Sequence, residues 1–207
     1  MTDNSEIHPT AVLDQPYRKF QGGKAPYGIE YRNSSFGRNI GIGPGVVLGK
    51  GVVLGDGVVI DSHCIVEPNA TIGHNTLLIY RAVVGGEAII GPDCVIGGFV
   101  AEGCLVGPRC RVFGHLIHRH LDTTQPWDEH EPEESAIVEE GSFIGFGAMI
   151  IGGVRIGQRA YVTAGALISR DVPAGFVAWG QNRIMPGNRW PGKLPQVNRD
   201  VANEVEL

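Results

Sequence analysis

Aromatic and charged residues are both scarce in this chain, but hydrophobic residues are not. Aromatic residues make up 7% of the 207 residues and charged residues 19%, whereas hydrophobic residues make up 43%. A chain that is this apolar and this weakly charged does not have the composition of a globally disordered protein. Its length is enough for one domain with a sizeable core.

Basic charge and long apolar runs are also lacking. The formal net charge at pH 7 is -5, whereas a nucleic-acid surface normally carries a basic stripe. No apolar run approaches the roughly 20 residues of a membrane span. Residues 1–9 are polar and acidic, without the apolar segment of a signal peptide. We therefore expect a cytoplasmic protein that binds neither nucleic acid nor membrane.

Cysteine is rare, and its spacing excludes two kinds of site. The four cysteines are Cys64, Cys94, Cys104 and Cys110, and no pair has the CxxC spacing of a zinc site or a redox motif. We expect them to be reduced and buried as small apolar side chains, with no catalytic or cross-linking role.

Glycine, by contrast, is abundant, and it accompanies a repeat of six residues. There are 31 glycines, about twice the average usage, which predicts many turns with positive φ or close backbone contacts. Large apolar residues recur every sixth position, with a two-residue shortening after Ile96 and an interruption before Val138. The twenty positions are Phe36, Ile42, Leu48, Leu54, Ile60, Val66, Ile72, Leu78, Val84, Ile90, Ile96, Val100, Val106, Val112, Val138, Ile144, Ile150, Ile156, Val162 and Ile168.

A period of six fits neither an α-helix nor a simple strand, which repeat at 3.6 and 2 residues. Each hexapeptide instead supplies one short strand and one bend, and three of them close a triangular coil. About seven such coils, stacked through parallel strands, form a three-sided prism whose large apolar residues point inward.

This repeat resembles the hexapeptide-repeat acyltransferase superfamily over residues 36–185. The resemblance implies an all-β, left-handed parallel β-helix with one protruding loop, at 114–137, and a short C-terminal extension, at 186–207. Residues 1–35 are expected to be an N-terminal segment with one starter hexapeptide. The resemblance also implies a homotrimer that binds acetyl-CoA between neighbouring prisms and acylates a small-molecule acceptor.

The loop concentrates four of the seven histidines, and an imidazole suits the removal of a proton from an acceptor near neutral pH. Residues 118–119, His-Arg, are followed at 126–127 by Pro-Trp. This resembles the His-Arg and Pro-Phe of xenobiotic acetyltransferases, which assigns the general base to His118. Residues 114–118, Gly-His-Leu-Ile-His, resemble the string of galactoside and maltose O-acetyltransferases, which assigns it to His115. His120 is a third candidate. We favour His118, oriented by Asp122 or by a glutamate of the loop.

The end of the repeat is similar to the segment that binds the coenzyme in this superfamily. Residues 169–173, Ser-Arg-Asp-Val-Pro, match the terminal string of the family. The resemblance implies that the backbone near the Gly-Ala turn contacts pantetheine and that basic residues contact the phosphates. The candidates are Gly147, Ala164, Gly165, Ser169, Arg170 and Arg183. Residues 180–183 are one residue shorter than in relatives, and Trp179, where relatives have a small residue, is expected either to cap the adenine or to pack against the tail.

Two other functional hypotheses are compatible with the same fold. The γ-class carbonic anhydrases bind a metal through three histidines, and His115 and His120 match one spacing of that family, but its Arg-x-Asp rung is missing. The other hypothesis is a non-enzymatic trimeric scaffold. We expect acetyl transfer without a metal, to a sugar, an amino sugar or an antibiotic. The acidic residues 128–134 favour a cationic acceptor.

Overall fold

The computed structural model describes residues 4–15, 30–119, 124 and 133–194, and within them the chain is almost entirely β. Its strands, numbered in chain order, form three sheets. Sheet A contains β1 (Glu6–Ile7), β4 (Gly41–Ile42), β7 (Val59–Ile60), β10 (Leu77–Leu78), β13 (Val95–Ile96), β16 (Arg111–Val112), β19 (Phe143–Ile144), β22 (Tyr161–Val162), β24 (Phe176–Trp179) and β25 (Arg183–Pro186). Sheet B contains β2 (Val12–Gln15), β5 (Val47–Gly49), β8 (Ile65–Val66), β11 (Val83–Val84), β14 (Phe99–Val100), β17 (His115–Ile117), β20 (Met149–Ile151) and β23 (Leu167–Ile168). Sheet C contains β3 (Ser35–Phe36), β6 (Val53–Leu54), β9 (Thr71–Ile72), β12 (Ile89–Ile90), β15 (Leu105–Val106), β18 (Ile137–Val138) and β21 (Arg155–Ile156). A 3₁₀ turn follows at Gly187–Arg189.

From β1 to β23 successive strands join the three sheets in turn, so each of these strands pairs with the strand three places along the chain, whereas β24 pairs with β22 and β25 with β24. The pairs between coils are parallel, and their register places like positions on one another, for example Ile42 beside Ile60 and Ile60 beside Leu78. This arrangement confirms the predicted three-sided solenoid of about seven coils.

The predicted inward positions form the core. Nineteen of the twenty are buried, and Phe36 is partly buried against the same cluster. The structure adds Leu116, which is fully buried although it follows Val112 by four residues rather than six. The chain therefore shortens its turn a second time, as it does between Ile96 and Val100. The prism consequently continues through β17 into residues that the sequence assigned to the loop.

The cysteines are buried and free, as predicted. Two of them belong to a column of four side chains that donate hydrogen bonds to carbonyl oxygens of the next coil: Thr76 to Gly91 at 3.0 Å, Cys94 to Gly107 at 3.1 Å, Cys110 to Glu139 at 3.1 Å, and Ser142 to Gly157 at 2.8 Å. Burial raises the pKa of the Cys64 and Cys104 thiols to about 11. These two thiols are therefore protonated at neutral pH and are poor nucleophiles.

The abundant glycines occur both in turns with positive φ and at close backbone contacts, as predicted. Gly45 has φ +65 at a turn, a backbone conformation that costs glycine little. A β-carbon on Gly73 would lie 2.5 Å from the backbone nitrogen of Pro92 in the next coil. Glycine at such positions lets the backbones of stacked coils approach.

The prism ends in a hairpin. Strand β25 runs antiparallel to β24, and the ring of Trp179 lies 5.8 Å from the ring of Trp190 at an interplanar angle of 49°. Trp179 thus packs against the C-terminal extension, the second of its two expected roles. In the described residues, no helix is long and apolar enough to cross a membrane.

The shortened turn between Ile96 and Val100 leaves no room for a side chain at residue 98. A β-carbon on Gly98 would overlap the carbonyl oxygen of Gly114 in the next coil, whereas one on Gly41 would lie 3.8 Å from the side chain of Val59. We expect Gly98→Ala to lower the free energy of unfolding by about 3 kcal/mol, since a backbone group has to move. Gly41→Ala should change it by less than about 1 kcal/mol. Denaturant unfolding of both variants provides the measurement, and equal stabilities would contradict the packing described.

Candidate functional site

Most of the candidate residues that the structure describes lie along the two edges of sheet B. One edge is the corner between sheets A and B, here called the A–B corner, and the other is the corner between sheets B and C, the B–C corner. Strand β17 runs from the first to the second. His115 begins this strand and His118 follows its end, so the two imidazoles belong to different edges. The excursion between β17 and β18 replaces the B–C corner of its coil.

His115 lies on the outer face of sheet B. Its side chain is exposed, and the strand register places it between Phe99 of β14 and Met149 of β20. An imidazole in this position is accessible to a ligand that lies along the sheet.

His118 is in a different environment. Its side chain is 15% exposed, and its Nδ1 atom lies 3.9 Å from Oε2 of Glu133. Neither ring nitrogen has a hydrogen-bond partner among the described residues. Buried polar atoms without partners are uncommon and costly, which makes this imidazole a candidate for contact with a ligand. The distance to Glu133 is about 1 Å longer than a hydrogen bond.

Glu133 is therefore the loop carboxylate that lies beside the favoured histidine. The sequence predicted either Asp122 or a loop glutamate in this role without choosing between them. Asp122, His120 and the 126–127 pair fall outside the described residues.

Both ends of the excursion contact other coils of the prism. At the outgoing end, Nη2 of Arg119 donates to the carbonyl oxygen of Ser169 at 3.2 Å. At the returning end, Oγ of Ser135 donates to the carbonyl oxygen of Glu102 at 2.9 Å. These bonds fix the start and the end of the excursion on two different coils of the B–C corner.

Three of the predicted coenzyme contacts lie at the A–B corner. Gly147 and Gly165 have φ +66 and +68, and a β-carbon on either would meet nothing within 4 Å. Ala164 is exposed beside Gly165. The backbone of these two turns is open to a ligand.

The other three predicted contacts are separated from the first group. Ser169 and Arg170 lie at the B–C corner, and Arg183 is exposed in β25 of sheet A. The amide of Ser169 donates to Oδ1 of Asn182 at 2.8 Å, and Nδ2 of Asn182 donates to the Ser169 hydroxyl oxygen at 3.0 Å. The Ser169 amide is thus already bonded, and its hydroxyl proton is the group left to reach a ligand. The contact of Asn182 was not predicted from the sequence, although residues 180–183 are one residue shorter than in relatives.

The described residues contain no group of three or more His, Cys, Asp and Glu side chains arranged to hold a metal ion.

Two family models match this chain. Residues 39–74 match the bacterial transferase hexapeptide of six repeats, and residues 135–170 match the hexapeptide repeat of succinyl-transferase. A curated relative is the 2,3,4,5-tetrahydropyridine-2,6-dicarboxylate N-acetyltransferase of Staphylococcus aureus. It is 50% identical over 44 residues, which are 21% of this chain and 18% of that enzyme. The match thus spans less than a fifth of the relative's length.

Two solved structures are similar to this chain. A perosamine N-acetyltransferase from Caulobacter crescentus, in complex with CoA and GDP-perosamine, is 20% identical over 85% of this chain and 53% of that one, with a TM-score of 0.38. The UDP-N-acetylglucosamine acyltransferase from Campylobacter jejuni is 16% identical over 94% and 81%, with a TM-score of 0.43. Similarities of this size carry no information on the substrate of this chain.

Both matched segments lie inside the prism, one toward its start and one in its last coils. Each covers the six-residue repeat whose inward residues form the observed core. The chain is therefore a hexapeptide-repeat protein, and in both segments it is similar to the bacterial hexapeptide transferases.

Proposed function

We propose that this protein transfers an acetyl group from acetyl-CoA to a hydroxyl or an amine of a small molecule, with His118 as the general base. The two matches to hexapeptide-transferase models support acyl transfer in general. The observation that carries the assignment of the base is the largely buried imidazole of His118, whose two ring nitrogens lack partners within the described residues and whose Nδ1 faces the Glu133 carboxylate.

The chemistry needs one proton transfer in each direction. Nε2 of His118 takes the proton of the acceptor as its oxygen or nitrogen attacks the thioester carbonyl carbon. The new bond forms, the carbon–sulfur bond breaks, and the imidazolium returns the proton to the departing thiolate. Glu133, on the opposite side of the ring, favours the tautomer with the proton on Nδ1, which leaves Nε2 as the basic atom. Acetyl-CoA and acceptor thus become CoA thiol and acetylated product without a covalent enzyme intermediate.

The coenzyme is proposed to lie along sheet B, in the groove between two prisms of a homotrimer. The open backbone at Gly147, Ala164 and Gly165 suits pantetheine, whose amides bond with exposed N–H and C=O groups. Arg170, exposed at the B–C corner, suits a phosphate through charge-assisted hydrogen bonds. Arg183 is a second candidate for the phosphates, and the hydroxyl of Ser169 is a third contact.

His115 is the competing base. It is exposed on the face of sheet B that the coenzyme is proposed to follow, whereas His118 has a carboxylate beside it. The two residues are three positions apart, about 10 Å along an extended strand, so a bound thioester cannot be adjacent to both. We favour His118 because a base is more effective when a second group fixes its orientation.

The acceptor class is a small polar molecule with a nucleophilic hydroxyl or amine, such as a sugar, an amino sugar or an antibiotic. The acidic residues 128–134 favour a cationic one, because opposite charges attract a ligand toward the site.

The assignment of the base predicts a large difference between two histidine variants. His118→Ala should lower kcat for acetyl transfer by about 10² or more, because a general base contributes on that scale. His115→Ala, the matched control, should retain the rate within about 3-fold, since no proton transfer is assigned to it. Thiol release from acetyl-CoA with a panel of amino sugars and aminoglycosides measures both. An unaffected rate in His118→Ala, or a collapse in His115→Ala alone, would reject His118 as the base.

The assignment of the phosphate contact predicts an effect on KM. Arg170→Ala should raise KM for acetyl-CoA by about 10-fold or more with little change in kcat, because a charged hydrogen bond contributes about 1.5–3 kcal/mol. The control is Arg38→Ala, which removes a surface cation paired with Asp56 near the other end of the prism. An unchanged KM in the Arg170 variant would remove Arg170 from the coenzyme site.

A further inference from the structure

The two ends of the excursion rest on one pair of adjacent glycines. Gly152 and Gly153 form the turn between β20 and β21, at the B–C corner next to the excursion, and we call this pair the glycine corner. The amide of Gly152 donates to the carbonyl oxygen of Ile117 at 2.8 Å. The glycine corner is therefore bonded to the last residue of β17, directly before His118.

Each glycine faces one end of the excursion at close range. A β-carbon on Gly152 would lie 3.2 Å from the β-carbon of Arg119, on the outgoing side. A β-carbon on Gly153 would lie 2.6 Å from the β-carbon of Glu134 and 2.7 Å from its Oε2 atom, on the returning side. Real β-carbon contacts are longer than this. The returning segment can thus occupy its position only while residue 153 has no side chain.

The returning segment is held on its other side as well. Ser135 is bonded to the carbonyl of Glu102, so Glu133 and Glu134 lie between that bond and the glycine corner. Because Glu133 immediately precedes Glu134, moving Glu134 away from Gly153 would also move the backbone of Glu133, whose carboxylate lies beside His118.

The outgoing segment connects the same corner to the coenzyme side. The guanidinium of Arg119 lies along Gly152, with Nε 3.4 Å from the position of a β-carbon there, and bonds to the Ser169 carbonyl. Arg119, which directly follows His118, thus connects the outgoing segment to the coil that carries Arg170.

We propose that the glycine corner sets the spacing between His118 and Glu133, and that Gly153, acting through the returning segment, is a positioning residue for the general base. Its effect on rate rests on the proposed function. Displacements of 1 Å in a catalytic group can cost about 10²-fold in rate, and the present separation of 3.9 Å leaves little room for further loss of contact.

The test is a compensating pair of substitutions. Gly153→Ala should lower kcat by about 10-fold or more through displacement of the returning segment, with a melting temperature within about 2 °C of the wild type. Adding Glu134→Gly removes the atoms that the new methyl group would meet. In that background the Gly153→Ala substitution should cost less than about 3-fold, because the coupling between the two sites has been removed.

The control is Gly41→Ala, a glycine substitution elsewhere on the prism whose β-carbon has only ordinary contacts. It should leave the rate unchanged. If Gly153→Ala is as active as the wild type, or if the double variant is no better than Gly153→Ala, the proposal is overturned.

A second readout separates this proposal from the proposed function. Nitrogen NMR shifts of the His118 ring report which nitrogen carries the proton, independently of turnover. We expect the Nδ1-protonated tautomer in the wild type, a mixture in Gly153→Ala, and the wild-type tautomer again in the double variant. If the wild type transfers no acetyl group but shows this pattern, the catalytic role fails while the positioning role stands. An identical tautomer in all three proteins would overturn the positioning role.

Discussion

The parallel register between stacked coils is the constraint on which the rest of the structure depends. It places Ile42, Ile60 and Leu78 on one another in sheet A, and the same holds in the other two sheets. A residue added or removed inside a strand would turn every following inward side chain outward. Changes of length are therefore confined to the corners. This chain shortens the A–B corner twice and lengthens the B–C corner once, and the lengthened corner bears the candidate base.

Much of the fold could be predicted because a period of six leaves few alternatives. The twenty inward positions, the buried cysteines and the need for glycine all follow from stacked triangular coils. Leu116 was missed because a second shortened turn brings it inward four residues after Val112, inside a string of histidines with the composition of a loop. The hairpin of β24 and β25 was missed because it follows no repeat and depends on packing between Trp179 and Trp190.

The candidate site was predicted only in part, because its contacts join residues that are distant in sequence. The pattern of histidines pointed to His115, His118 and His120, with His118 favoured, but it did not predict that His115 and His118 differ in burial, because they lie at opposite ends of a strand that runs between the two edges. Glu133 lies beside His118 at the end of a returning segment that packs against the glycine corner. Asn182 reaches Ser169 across 13 residues through the terminal hairpin. No local pattern encodes such pairs, since they depend on the path of the chain between coils.

A crystal structure of the protein with bound coenzyme A tests most directly whether an oriented imidazole faces a thioester held along sheet B. We predict the coenzyme sulfur within about 4 Å of Nε2 of His118, the reach of a productive proton transfer, with pantetheine along the turns at Gly147 and Gly165. A sulfur beside His115, or one remote from both imidazoles, would contradict the account.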